Sequence, residues 1–160
     1  MTSLTVLDKK ILKLKNVVIK EIRNIDVERI DFEIDRFINQ LRTIKAKTYG
    51  PLITKLVKVE QSEDGKLLYD YDLYYQVHNY EQYKTLFETR EELKVPNCLF
   101  LNYQGDPGNV SFAYSKLELY IFENDLKFNG EVYSVLKAKD KSSNDINIDI
   151  FKPVILNEVL

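Results

Sequence analysis

The chain has 160 residues, of which 44% are hydrophobic and 30% charged, with a formal net charge of −2. That length suits one well-buried core rather than two independent domains, and the near-balanced charge gives no basic footprint for nucleic acid. Cys98 and His78 are each the sole residue of their type, which leaves no intramolecular disulfide, cysteine cage or histidine-based metal centre to build, and no cofactor motif is present.

Residues 1–16 form a lead-in. Leu4, Leu7, Ile11 and Leu14 fall on a helical stripe among lysines, the pattern of a membrane-surface or partner-binding segment. Val6 and Leu12 miss that stripe, so a short helix or an extended segment packed on the domain is the expected outcome. Lys9, Lys10, Lys13 and Lys15 interrupt any signal-peptide core, and no apolar run is long enough to span a membrane. A cytoplasmic protein is expected.

Val17–Ile22 reads as a short strand. Asp26 and Asp31 offer N-cap chemistry, and Ile30, Ile34, Phe37, Ile38, Leu41 and Ile44 recur at helical spacing, predicting a helix over 31–48 that Gly50-Pro51 ends. Strands follow at 56–61 and 67–77 around an Asp64-Gly65 turn. In the second, Leu67, Tyr69, Tyr71, Leu73, Tyr75 and Val77 share one face and Asp70, Asp72 and Gln76 the other, the pattern of an antiparallel sheet covered on one side. Residues 79–88 are a crossover with no strong pattern, and His78 reads as an exposed loop residue.

A second cycle starts at Glu91. A strand over 93–103 has Pro96 near its start, which implies an edge or bulge. Gln104–Asn109 is a turn with Asn109 as the expected cap, and Val110, Ala113, Tyr114, Leu117 and Ile121 line a helix over 110–125. Strands at 131–139 and 146–155 flank a solvated loop at 141–145. The element order strand, helix, strand, strand thus occurs twice, in halves 17–77 and 91–154. We expect an α+β fold made of duplicated β-α-β-β halves, an antiparallel sheet, two main helices and a ligand groove between them, all within one domain. Glu131 alternates with Tyr133 and Val135, which puts a carboxylate on a strand face of rings and aliphatics.

Several pieces, in order, are similar to the GyrI-like family, the small-molecule effector-binding domain of bacterial transcription regulators. They are Tyr103-Gln104-Gly105-Asp106-Pro107, the helix with Phe112, Tyr114, Leu117 and Tyr120, Gly130-Glu131-Val132-Tyr133, and Ile148-Asp149-Ile150-Phe151-Lys152-Pro153-Val154. The first half fits by element order and by Tyr71-Asp72 through Val77. Asp149 stands where a glutamate is common, and Lys152 is inserted before Pro153. The resemblance implies a pocket for amphipathic or cationic compounds with Glu131 as its central acid. Tyr69, Tyr71, Tyr103 and Tyr133 are the candidate aromatic walls.

Members of the family are often fused to a helix-turn-helix domain. Residues 1–16 are too few for one, so a stand-alone binding domain is expected, without direct nucleic-acid binding and with a protein partner or a homodimer as the remaining partner classes. Its role is then sequestration or a part in transcription regulation. The alternative implied by stand-alone relatives is a hydrolase that opens strained electrophilic rings, with Glu131 as acid or base.

Overall fold

A computed structural model describes residues 4–137 and 144–155. The chain divides into two compact units, residues 13–93 and residues 1–12 with 94–160, the boundaries falling within two long strands. In the first unit β1 (Leu7–Ile25), entering it at Lys13, is followed by α1 (Ile30–Thr43), β2 (Thr48–Gln61) and β3 (Leu67–Val77). β3 is antiparallel to β1 on one side and to β2 on the other. In the second unit β4 (Glu88–Gly105), entering it at Lys94, is followed by α2 (Ser111–Glu123), β5 (Val132–Leu136) and β6 (Ile146–Pro153). Here β6 is antiparallel to both β4 and β5. The fold is α+β, and each unit has the same order and the same central last strand.

The helices form where the apolar spacing places them. Phe37 and Leu41 bury the face of α1, and Ala113, Leu117 and Ile121 that of α2. A turn of 3-10 helix precedes each, at Val27–Arg29 and Pro107–Asn109. Asp106 caps the second turn, its carboxylate accepting the Gly108 N–H at 2.7 Å, so the capping role expected of Asn109 belongs to Asp106.

Both helices stop earlier than their apolar patterns suggest, and for the same reason. Lys45 N–H donates to Arg42 O and Ala46 N–H to Leu41 O; likewise Asp125 N–H donates to Phe122 O and Leu126 N–H to Ile121 O. These are the paired bonds of a Schellman ending, with Lys45 (φ 58°) and Asp125 (φ 51°) in the left-handed region. Gly50 therefore does not end α1. It lies inside β2 at φ 69°, where the β2–β3 register shifts between Tyr49 and Ile53, and its freedom serves a bulge.

The lead-in is extended rather than helical, since β1 already begins at Leu7. Three left-handed residues, Lys9, Asn16 and Asn24, interrupt that long strand. Asn97 (φ 57°) follows Pro96 and supplies the irregularity expected in β4. The hairpin at 62–65 is as read, with Gly65 N–H donating to Ser62 O. β6 ends at Pro153, followed by an isolated bridge between Lys127 and Ile155. Residues 138–143, which hold the end of the strand expected over 131–139 and most of the loop expected at 141–145, lie outside the described residues.

β3 differs from expectation in one important respect. Leu73 and Val77 are fully buried on one face, yet Asp70, Asp72 and Tyr74 are buried on the other. The sheet here is covered on both sides, because its aspartates find partners on the flanking strands.

Candidate functional site

In the second unit Glu131 immediately precedes β5 and is half-buried. Asn129 grips it twice: its Nδ2 donates to Glu131 Oε1 at 3.0 Å, and its Oδ1 accepts the Glu131 N–H at 3.0 Å. The turn thus sets both the backbone and the carboxylate. Tyr133 is buried on β5 and lies opposite Phe151 of β6. Val132, Ser134 and Val135 are buried as well, so both faces of β5 are covered and the acid marks the edge of a packed region. Tyr114 on α2 and Ser134 on β5 share a hydroxyl–hydroxyl bond at 3.0 Å that ties helix to strand.

Tyr103 is buried on β4, and its hydroxyl donates to Asp106 O at 2.6 Å. Burial, and secondarily the charge of Asp106, pushes its phenol above the usual tyrosine range. Gly105 makes room for the ring, since a Cβ there would come within 3.0 Å of the hydroxyl. Tyr103 therefore locks the strand-to-helix turn of its unit. In the first unit Tyr69 and Tyr71 sit on one face of β3 as an offset, nearly parallel pair, with centroids 6.2 Å apart and planes at 22°. Glu131, Tyr133 and Tyr103 belong to one unit, and Tyr69 and Tyr71 to the other.

Two charged features escaped the reading of the sequence. On β3, Asp72 pairs with Arg23 at 2.8 Å and accepts Tyr74 Oη at 3.3 Å, while Asp70 accepts the Asn24 N–H at 2.8 Å. Arg23 also donates to Tyr71 O at 2.9 Å, closing the network onto the backbone. The signal was the alternation Tyr69-Asp70-Tyr71-Asp72 opposite a lone arginine on β1. On β6, Lys152 is buried with its ammonium 4.4 Å from the centroid of the Phe128 ring. Burial pulls its pKa down, with Glu118 opposing. His78 is exposed, as expected, and stacks on Tyr49 at 4.2 Å. Among the described residues no group of three or more metal-ligating side chains occurs, and no helix is long and apolar enough to cross a membrane.

No family model matches the sequence, and no curated protein sequence matches it. Solved structures do. The C-terminal domain of EcmrR superimposes with a TM-score of 0.64 at 12% identity, covering 96% of this chain and 97% of that one. The chain has a GyrI-like fold. The EcmrR chain in its DNA complex matches with a TM-score of 0.65 at 11% identity over 94% of this chain, which spans 57% of that longer one. SAV2435, solved with bound tetraphenylphosphonium, matches with a TM-score of 0.52 at 10% identity, covering 96% and 94%. The GyrI-like likeness expected from the C-terminal motifs thus holds at the level of fold.

Proposed function

We propose that this GyrI-like chain binds small amphipathic or cationic molecules, in a sequestering or transcription-related role, with Glu131 as the acid that meets the cation. The observation that carries the reading is the fold shared with SAV2435, whose structure holds a lipophilic cation. Glu131 supports it: a half-buried carboxylate beside buried Tyr133 has lost part of its hydration, and a bound cation restores what burial removed. The Asn129 clamp sets the carboxylate before a ligand arrives, which lowers the ordering cost of binding. Tyr103 contributes by holding the strand-to-helix turn of the same unit, and on the first unit the stacked Tyr69 and Tyr71 are flat aromatic surface of the kind an organic cation meets.

Thermal melting with tetraphenylphosphonium tests this. The cation should raise the Tm of the wild type by binding the folded state. Glu131→Gln should keep the fold and lose the response, because the amide fills the space without the charge; the loss corresponds to about 1.5–3 kcal/mol of binding. An equal response from wild type and variant would remove Glu131 from the reading. Turnover of a strained electrophilic ring by the wild type but not by the variant would move the function to hydrolysis.

A further inference from the structure

The first unit carries a groove that the cation-binding reading leaves unused. It holds about 530 Å³ along one flank of α1, a volume in the range of small-molecule sites. Phe87 forms part of its wall and is braced edge-on by the buried Phe37, with centroids 5.7 Å apart. Ile44 adds apolar wall, and Phe32 and Leu86, 58% and 62% exposed, stand at the rim. Two large apolar side chains so exposed beside a concavity mark a surface that gains by being covered.

The charges around this apolar lining point to the kind of ligand. Lys20 from β1 and Arg36 from α1 both line the groove, and neither makes an ion pair or side-chain hydrogen bond among the described residues. Arg29, outside the lining, has its guanidinium 5.8 Å from the centroid of the Phe32 ring at the rim. Asp35 is the one acidic lining residue. Gln40 also lines the groove with its carboxamide oxygen shielded from water and no donor to meet it. Turning that amide breaks no existing bond and would present its NH2 to an anion.

The duplication supplies a control within the molecule. Asp26 and Asp106, Phe32 and Phe112, and Lys45 and Asp125 are separated by the same interval, so the two helices correspond residue by residue. On that correspondence Arg36, Asn39, Gln40 and Thr43 match Lys116, Leu119, Tyr120 and Glu123, which line a groove on α2 against Leu4–Val6. That second groove holds only about 260 Å³. Bulkier Leu119 and Tyr120 occupy the places of Asn39 and Gln40, and Glu123 brings a negative charge where Thr43 is neutral. The second half has half the space and the wrong charge.

We propose that the α1 groove is a second small-molecule site that takes an amphipathic anion, an alkyl or aryl body on Phe87, Ile44 and Leu86 with its carboxylate or sulfonate between Lys20 and Arg36. It is independent of Glu131, lies within one unit and has the opposite charge preference.

The test compares dodecanoate with dodecyltrimethylammonium and dodecanol, each below its micelle concentration, by calorimetry and amide NMR. Dodecanoate should bind at least tenfold more tightly than either, and its shifts should centre on 32–44 and 85–88. The double variant Lys20→Gln/Arg36→Gln, which alters only side chains with no ion pair or hydrogen bond among the described residues, should lose tenfold or more of that affinity. The same variant should keep its melting response to tetraphenylphosphonium, which separates failure of this site from failure of the Glu131 reading. Leu86→Asp, at an exposed position, should also repel the anion. Equal binding of the cationic amphiphile, shifts centred elsewhere, or a double variant that binds dodecanoate as the wild type does would each overturn the assignment.

Discussion

Asp72 and Lys152 hold corresponding places on β3 and β6, following Tyr71 and Phe151, yet they carry opposite charges and have different surroundings. Asp72 has Arg23 at 2.8 Å, whereas Lys152 has the face of Phe128. Asp72→Ala should therefore destabilise the fold by about 1–3 kcal/mol in chemical denaturation; the fully buried figure is reduced because Arg23 is partly in water. Lys152→Met should stabilise at neutral pH, because it removes a charge that burial penalises. The folded pKa of Lys152 is depressed, so the penalty is complete while the group is charged in both states. It is relieved as pH rises from the folded pKa toward the ordinary lysine value, and the Met variant should lack that gain. Cys98 acts in the opposite sense. Burial lifts its thiol from 9.0 to about 11, so the folded state keeps a proton that the unfolded state gives up. Its contribution is full below pH 9.0 and is lost as pH rises to about 11. Denaturation of wild type against Cys98→Ala across that window should show the difference shrinking.

At the scale of the element, the helix endings make a stability contribution of their own. Lys45 holds a left-handed backbone that disfavours a side chain, so Lys45→Gly should raise stability by about 1 kcal/mol, while Asp125→Gly should gain less because aspartate tolerates that region better. Gly50→Ala should do the reverse. The added Cβ would lie 2.8 Å from Gln76 Nε2, and Gln76 cannot swing away freely because its Oε1 accepts the Lys15 N–H. Differential denaturation of the three variants checks both signs. The helices themselves were legible because their apolar residues recur at helical spacing. Their ends were not, because a Schellman ending without glycine leaves no punctuation in the sequence, and Gly50-Pro51 offered a false stop five residues on.

For the molecule as a whole, the duplication is the organising fact. It reaches beyond element order to strand pairing, helix endings and the Asp26/Asp106 position ahead of each helix. A crystal structure should superimpose 26–46 on 106–126 with the two left-handed residues coincident. With a net charge of −2, affinity for duplex DNA should be negligible at physiological salt, and salt-sensitive retention of a duplex in a gel-shift assay would contradict that. The two halves have diverged at matched positions, Asn39 and Gln40 against Leu119 and Tyr120, and Asp72 against Lys152, while Phe32 and Phe112 are kept.

Local pattern determined the fold class, the twofold element order and the helix faces, because period and turn chemistry act over a few residues, and the C-terminal motifs carried the GyrI-like resemblance. Glu131 stood out as a candidate for the same reason: it follows a turn and alternates with Tyr133 and Val135. Tertiary structure alone decided that Asp70 and Asp72 are buried, since their cover comes from Arg23 and Asn24 on another strand. It alone showed the Tyr103 hydroxyl holding a turn and built the α1 groove, where Lys20 comes from β1, Arg36 from α1 and Phe87 from the segment before β4. Contacts between residues far apart in the chain leave no period to read, and the balance of burial against charge pairing is settled only where the strands meet.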